Sequence, residues 1–194
     1  MGKMDIDMIK EIGGNVERFA EKTIRNRVME GSEQISPSTS KSKIAKWVKE
    51  AMDKLDTLVD EKTRFQIMEN CGYNCSVVNK RVIEKAKARR NKYKSINEFL
   101  EAEQRNPMTG TRLERNGNFL YQFYMPQLYT RPMRCYCSLL RGLPADEKVS
   151  LTYCHCSKGF VKKFWEGVLE RPVKVELIES VVSGAPECKF AIHL

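Results

Sequence analysis

The residues of this sequence best suited to chemistry are cysteines, six of which stand in three close pairs. The pairs are Cys71 with Cys75, Cys135 with Cys137, and Cys154 with Cys156. Two cysteines four apart on a helix share a face, and so do two cysteines two apart on a strand. Two converging pairs would supply four thiolates, the ligand set that Zn²⁺ or an iron–sulfur cluster takes. The pairs therefore predict a metal site, with zinc favoured over iron, and leave open which four cysteines converge.

A reactive thiol is the second interpretation of the same residues. Cys156 directly precedes a segment that is predicted to begin a helix at Ser157, and Lys158 is close by. A helix N-terminus and a nearby cation both lower a thiol pKa and increase the thiolate fraction at neutral pH. Cys156 is therefore the candidate catalytic residue, a nucleophile or redox thiol with Cys154 as its resolving partner. On a strand, His155 would face the opposite side and would be poorly placed as a base.

Packing is the third interpretation, because free cysteines often serve as small buried hydrophobic residues. We expect this of Cys188, which stands alone in the last predicted strand. For the three pairs, metal or thiol function is favoured, because packing has no need of sulfur atoms in pairs. The two sulfurs of an extended Cys-x-Cys lie roughly 6–7 Å apart, so a bend is needed to bring them onto one metal ion.

The composition is that of a globular chain, with 194 residues of which 41% are hydrophobic and 30% charged. Residues 1–14 carry charges where a signal peptide needs an apolar stretch, and no apolar run has the length of a membrane span. We therefore predict a cytoplasmic protein with no membrane partner, whose reducing environment disfavours disulfides. The formal charge of +9 permits an anionic partner without selecting one.

The segment from Asn79 to Lys94 is strongly basic and is predicted to be helical. It holds eight lysines or arginines and one acidic residue, Glu84. This charge density would suffice for nonspecific binding to nucleic acid, and charge reversal at Arg89 and Arg90 would test it. No aromatic stacking platform accompanies the segment, so a solvated surface is favoured.

Apolar residues at helical spacing dominate the first part of the chain. Ser95 and Glu98 form the capping-box pair that begins a helix, and Gly13 with Gly14 is expected to divide the first one. The predicted helices cover residues 5–30, 43–70 and 76–94, and a fourth begins at Ser95.

After Pro107 the pattern changes to the alternation that is typical of strands. Asn116-Gly117 between two alternating runs indicates a hairpin. Further strands are predicted over residues 131–140, 148–156, 172–182 and 187–194, with a helix over 157–170. This order predicts an α+β fold, in which N-terminal helices are followed by an antiparallel sheet with a crossing helix. The predicted organisation is an N-terminal helical segment, residues 1–35, and a single α+β ligand-binding domain, residues 36–194.

The C-terminal third resembles a known family. The helix over 157–170 is followed by the apolar strand "VKVELIESVVSG" and by a short strand with Cys-x-Phe at Cys188 to Phe190. This order resembles the 4-vinyl reductase-like and L-2-amino-thiazoline-4-carboxylate hydrolase-like group of small domains. The resemblance implies an α+β fold that encloses a small, often apolar molecule and that in some members binds metal through cysteine. It assigns no catalytic residue.

Together these features predict a cytoplasmic, cysteine-rich metal-binding domain that binds a small molecule. A metal ion with an open coordination position would activate water and make the protein a hydrolase, whereas one closed by four thiolates is structural. The alternative is a cysteine-dependent enzyme that acts on a small sulfur-containing substrate. Nucleic-acid binding through the helix at residues 79–94 is a weaker alternative. The sequence leaves open the identity of the ligand and the oligomeric state.

Overall fold

The structure, a computed structural model, describes residues 3–126 and 135–194. The helices are α1 (Lys3–Phe19), α2 (Lys22–Val28), α3 (Lys41–Leu58), α4 (Glu61–Val78), α5 (Lys80–Arg90), α6 (Ile96–Arg105) and α7 (Leu151–Leu169). The strands are β1 (Thr111–Asn116), β2 (Phe119–Tyr124), β3 (Val175–Glu179) and β4 (Cys188–His193). Short 3-10 helices lie at Ser32–Gln34, Ser138–Leu140 and Val181–Ser183. The predicted α+β fold, with helices before an antiparallel sheet and one helix crossing it, is confirmed.

The boundaries of the first helices differ from those predicted. The predicted helix over residues 43–70 is two helices, because Asp60 begins a new one. Its carboxylate accepts a hydrogen bond from the N–H of Thr63 at 3.1 Å and caps α4. Gly13 and Gly14 do not divide the first helix, since α1 runs through both of them.

The capping pair at the start of α6 is present in slightly changed form. Ser95 Oγ accepts a hydrogen bond from the N–H of Glu98 at 3.2 Å, as predicted. The return bond runs from the N–H of Lys94 to Glu98 Oε2 at 3.1 Å, one residue earlier than in the standard capping box. The basic helix α5 has already ended at Arg90.

The sheet has the order β1-β2-β4-β3, and all of its neighbours are antiparallel. The hairpin predicted at Asn116-Gly117 joins β1 to β2, and Gly117 has a positive φ of 56° that suits a tight turn. The two strands predicted last in the chain are present as β3 and β4. Strand β4 lies inside the sheet, paired with β2 on one side and β3 on the other.

The strand predicted over residues 148–156 is wrong, because α7 begins inside it. Ser150 is the N-cap, and its Oγ accepts a hydrogen bond from the N–H of Thr152 at 3.1 Å. The helix start predicted at Ser157 is therefore wrong as well. The run from Val149 to Cys154 is rich in residues that face the protein interior, which gave it the appearance of a strand.

A strand was predicted over residues 131–140, and the described part of this segment, residues 135–140, forms no strand. Residues 131–134 of that prediction lie outside the described residues. Cys135 and Cys137 are in irregular backbone, and the 3-10 helix Ser138–Leu140 follows at once.

The buried side chains form two hydrophobic clusters, and α7 contributes to both. The first cluster lies among α1, α3, α4 and the start of α7, where it includes Tyr153. The second lies between α6, α7 and the sheet and includes Trp165, whose Nε1–H donates to Gln122 Oε1 at 2.7 Å. The domain boundary predicted at residues 35–36 stays a prediction. None of the helices in the described ranges has the length and apolar character that a membrane span requires.

Candidate functional site

The predicted site residues lie in one connected set, which we call the cysteine cluster. After burial, the nearby thiols of Cys71, Cys75, Cys135 and Cys137 further raise the pKa of Cys156. Burial and then Cys188 and Cys137 raise the pKa of Cys154 in the same way. All seven cysteines are free thiols. The cluster therefore combines the six predicted residues with Cys188, which the sequence assigned to packing.

The sulfurs of Cys154 and Cys156 do not point the same way, as the strand prediction had required. Residues two apart on a helix are separated by about 200° around its axis, so the two side chains lie on different sides of α7. Cys154 Sγ is 2.7 Å from Ser180 Oγ, whereas Cys156 interacts with Cys71 of α4. The i, i+4 spacing of Cys71 and Cys75 does occur on a helix, as the prediction assumed.

Several thiols accept hydrogen bonds from neighbouring groups. The hydroxyl of Tyr153 donates to Cys137 Sγ at 2.9 Å, and the side-chain amide of Asn15 donates to Cys71 Sγ at 3.4 Å. Cys135 Sγ accepts from the backbone N–H of Cys137 at 3.4 Å. These bonds hold the sulfur atoms within the packed interior.

Burial raises the pKa of every cysteine in the cluster. The pKa reaches about 12 at Cys71 and at Cys154, and burial raises the pKa of Cys135 and Cys156 well above the usual value. The thiols are therefore protonated at neutral pH. A lowered pKa was expected for Cys156, but α7 begins at Leu151, so this residue lies within the helix and burial dominates. The catalytic assignment of Cys156 stays a prediction that lacks this support.

Within residues 3–126 and 135–194, no group of three or more His, Cys, Asp or Glu side chains is arranged to hold a metal ion. Zinc is therefore not supported by the geometry. A metal would also have to displace protons from the buried thiols, since thiolate is the form that binds. The predicted ligand set stays a prediction; it comprises Cys71, Cys75, Cys135, Cys137, Cys154 and Cys156.

A second feature is a cleft of about 710 Å³ bordered by α1, α4 and α7, which we call the α4–α7 cleft. Its lining is largely cationic and aromatic. The lining includes Arg18, Lys62 and Lys158, the aromatic residues Phe19, Phe65 and Tyr73, and the acid Glu69.

Glu69 connects this cleft to a buried histidine. Its carboxylate accepts a hydrogen bond from Lys158 and lies 3.6 Å from Nδ1 of His155. Burial alone would raise the pKa of Glu69, but the neighbouring His155 and Lys158 outweigh burial and hold that pKa below its usual value. The carboxylate is therefore ionised at neutral pH, with two nitrogen-bearing side chains of α7 beside it.

His155 has an unpaired ring nitrogen beside the cleft. Only 6% of the residue is exposed, and its ring stacks on Phe65 with centroids 3.6 Å apart. Nδ1 is buried and has no hydrogen-bond partner among the described residues. The polar group that faces this nitrogen is Glu69 Oε1, which lies 3.6 Å away, just outside hydrogen-bond distance.

Two glycines allow α4 and α7 to cross closely enough to bring these groups together. A Cβ atom on Gly72 would lie 2.0 Å from the carbonyl oxygen of Cys156. A Cβ atom on Gly159 would lie 2.2 Å from the carbonyl oxygen of Glu69. Any side chain at either position would force the helices apart and separate Glu69 from Lys158.

The sequence interpretation did not recognise the group formed by Phe65, Glu69, His155 and Lys158. Phe65 and Glu69 are four apart on α4, and His155 and Lys158 are three apart on α7, so each pair shares a helix face. The sequence signal that could have revealed this group is Ser150 as an N-cap. A helix that begins after Ser150 puts His155 and Lys158 on the same face. The strand interpretation hid this relationship.

Comparison with known proteins gives few relatives. A search of curated proteins found no match. Among the solved structures, a mutant Fe(II) unliganded H-NOX protein from K. algicida is 14% identical, with a TM-score of 0.46 and coverage of 96% of this chain and 94% of that chain. The phenol-responsive sensory domain of the transcription activator PoxR, solved with phenol, is 16% identical, with a TM-score of 0.40 and coverage of 80% and 74%.

The resemblance to the 4-vinyl reductase-like and L-2-amino-thiazoline-4-carboxylate hydrolase-like group is wrong. The family model that matches the chain is a different one. The Cys-x-Phe strand and the preceding helix are features too short to decide a family by themselves. The matching family model covers residues 3–194, and the chain belongs to that family, DUF6144, described as a family of unknown function.

Proposed function

We propose that this protein is a small-molecule-binding domain whose ligand is an aromatic anion held in the α4–α7 cleft. The observation that carries the proposal is the lining of this open cleft, where three cations and three aromatic rings lie side by side. Sites that bind small molecules combine apolar and aromatic side chains with a few well-placed polar groups. Small-molecule binding was predicted from the sequence, whereas the anionic, aromatic character of the ligand comes from the lining.

The cations of the cleft are only partly neutralised. Lys158 is paired with Glu69, but Arg18 and Lys62 have no ion pair within the part of the chain that the structure describes. Arg18 lies over the ring of Phe19 at 5.1 Å, which leaves its hydrogen-bonding edge for a carboxylate or a similar anionic group. The negative end of a ligand would therefore lie between Arg18 and Lys62.

The aromatic rings supply the apolar part of the site. Phe65 is fixed by its stacking on His155, and the ring of Tyr73 is held beneath the ammonium group of Lys163 at 4.9 Å. Rings held in place lose little conformational freedom when a flat ligand packs against them. A planar ligand would pack against the rings that line the cleft.

A titration with two matched probes tests the proposal. Calorimetry would compare 2-naphthoate with 2-naphthol, which has the same ring system and no charge at neutral pH. We expect 2-naphthoate to bind more tightly. R18Q and K62Q should each weaken 2-naphthoate binding by about tenfold, the value of a lost hydrogen bond to a charged group, and leave 2-naphthol binding unchanged.

The control is K43Q, which removes an exposed lysine of α3 that lies outside the cleft. Equal affinity for the two probes, or an equal loss with K43Q, would contradict an anion site between Arg18 and Lys62. Absence of binding by both probes at millimolar concentration would contradict the cleft as the ligand site. Circular dichroism of each variant would verify that the fold is retained.

The other predicted functions have less support. The hydrolase interpretation depended on an open metal position, and nothing in the described residues supports one. The cysteine-dependent enzyme stays a prediction, and so does nucleic-acid binding through α5. For the latter, Arg89 is a poor reporter because its guanidinium forms two hydrogen bonds with the carboxylate of Glu103, each of 2.9 Å.

A further inference from the structure

We propose that the elbow between α4 and α5, residues 77–85, binds a membrane surface that contains anionic phospholipid. This proposal is independent of the ligand proposed for the cleft. It concerns peripheral binding at a lipid–water interface, and it revises the sequence-based prediction that the protein has no membrane partner.

Three valines in the elbow are unusually exposed. Val77 is 70% exposed, Val78 is 65% exposed and Val82 is 37% exposed. Single exposed apolar residues are ordinary, but three within six positions concentrate exposed apolar side chains in one short stretch. Transfer of these side chains from water to the acyl-chain boundary of a bilayer is favourable in proportion to the area removed from water.

The same elbow carries three exposed cations. Lys80, Arg81 and Lys85 form no ion pair with any residue that the structure describes. By contrast, the next lysine, Lys87, is paired with Glu170 at 2.6 Å. The cations at the start of α5 are therefore free to bind external phosphate groups.

Valines and cations lie together in this short exposed stretch. Asn79 ends α4 and begins α5, and with φ of −101° and ψ of 23° it interrupts the regular helical ladder. The N–H of Asn79 donates to the carbonyl of Cys75 at 3.1 Å, and the N–H of Val82 donates to the carbonyl of Asn79 at 2.9 Å. Val77 and Val78 therefore stand directly before the junction, and Lys80, Arg81 and Val82 stand directly after it.

A lipid surface suits this combination better than nucleic acid does. Phosphates of nucleic acid would satisfy the cations but would leave the valines in water. The elbow residues 77–85 include no aromatic side chain on which a base could stack. At a bilayer the cations bind lipid phosphates while the valines enter the acyl boundary, as in other interfacial helices.

Cosedimentation with vesicles tests the proposal, using phosphatidylglycerol mixed with phosphatidylcholine and, separately, phosphatidylcholine alone. We expect binding to the anionic vesicles that weakens as salt is added. K80Q/R81Q should lower partitioning by about 25-fold, since each basic residue near an anionic surface contributes about fivefold. V77S/V78S should lower it by about tenfold, because two apolar side chains no longer favour the interface.

The matched control is K41Q/K43Q, which removes two exposed cations at the start of α3. An equal effect of K41Q/K43Q would mean that net charge alone drives binding and would overturn the proposal. So would equal binding to both kinds of vesicle, or no binding at low salt. Binding to duplex DNA that depends on K80Q/R81Q but is unaffected by V77S/V78S, without vesicle binding, would identify a nucleic-acid surface instead.

Discussion

The imidazole ring of His155 lies flat against the phenyl ring of Phe65, with centroids 3.6 Å apart and planes inclined by 14°. Because the two residues belong to α7 and α4, this contact joins the helices at the edge of the α4–α7 cleft. It also fixes the imidazole with Nδ1 near Glu69 and without a hydrogen-bond partner among the described residues. The stacking and the unpaired nitrogen can be separated by mutation.

His155→Phe should lower the free energy of unfolding by about 1 kcal/mol or less. The substitution keeps an aromatic ring against Phe65 and removes only the nitrogen that faces Glu69 at 3.6 Å. His155→Ala should instead lower stability by about 3 kcal/mol, because it leaves a cavity where the ring was. Urea denaturation measures both. If the phenylalanine variant were as unstable as the alanine variant, Nδ1 would have a partner that matters.

Glu69→Gln should lower stability at neutral pH by about 1–3 kcal/mol, since it breaks a largely buried charged hydrogen bond to Lys158. The folded pKa of Glu69 is lowered, so its contribution is present above the unfolded pKa of about 4.3 and is lost as pH falls through the folded pKa. The difference between wild type and variant should therefore shrink in acid.

The control for this measurement is Glu17→Gln, which removes the exposed partner of Arg25 at 3.2 Å. An exposed pair contributes about 0–1 kcal/mol, so this variant should be nearly as stable as wild type. A Glu69 effect of the same small size at all pH values would contradict the ion pair across α4 and α7.

Alkaline pH should destabilise the protein through the cysteine cluster. Unfolded thiols ionise near pH 8.5, whereas burial raises the pKa of Cys71 and of Cys154 to about 12 in the folded state. The stability contributed by each thiol is fully present below the unfolded pKa and declines as pH rises toward the folded value, by about 1.4 kcal/mol per pH unit. Guanidinium unfolding with reductant, compared at about pH 7.5 and about pH 9.5, would measure this fall. The free energy of unfolding should fall less between these pH values in C71A/C154A than in wild type. An identical fall would contradict the assigned pKa shifts.

Gly72→Ala should lower the free energy of unfolding by about 3 kcal/mol, because the new Cβ would overlap the carbonyl oxygen of Cys156 and force α4 from α7. Gly14→Ala is the matched control, since a Cβ at that helical position meets nothing within 4 Å. It should stabilise the protein by about 0.4–1 kcal/mol through reduced freedom of the unfolded chain. Thermal unfolding followed by circular dichroism would compare the two. Similar effects of both would mean that the helix crossing is looser than described.

The predicted metal ligands are tested by elemental analysis of protein purified without a metal affinity column, with a count of free thiols. About one zinc or iron per chain, with four thiols protected from a thiol reagent, would confirm the metal site predicted from the cysteine pairs. The metal site would be contradicted by three results together: the protein contains no metal, all seven thiols react after unfolding, and chelators leave the stability unchanged.

Local sequence signals predicted much of the fold. Asn116-Gly117 specified its hairpin because few residue pairs suit so tight a turn, and Ser95 specified a helix start because its hydroxyl satisfies a free N–H. The helix start at Ser150 was missed because α7 is apolar on more than one side. A helix that packs on two clusters loses the one-sided periodicity that distinguishes helix from strand.

The α4–α7 cleft was beyond the reach of sequence periodicity. Phe65 and Glu69 are separated by about ninety residues from His155 and Lys158, and only the close crossing at Gly72 and Gly159 brings them together. Nothing local marks two such distant glycines as partners. The cysteine pairs, by contrast, were conspicuous in the sequence. The spacing of Cys154 and Cys156 predicted two sulfurs that point the same way, and the helical backbone of α7 does not give that orientation.

The presence of α7 in both hydrophobic clusters has a consequence for how the protein unfolds. Tyr153 belongs to the first cluster and Trp165 to the second, and one continuous helix connects them. Loss of either cluster removes the packing that holds part of this helix, so the two halves of the protein cannot melt independently. The amide hydrogens in the middle of α7 should therefore exchange with solvent only through global unfolding, in a single cooperative transition.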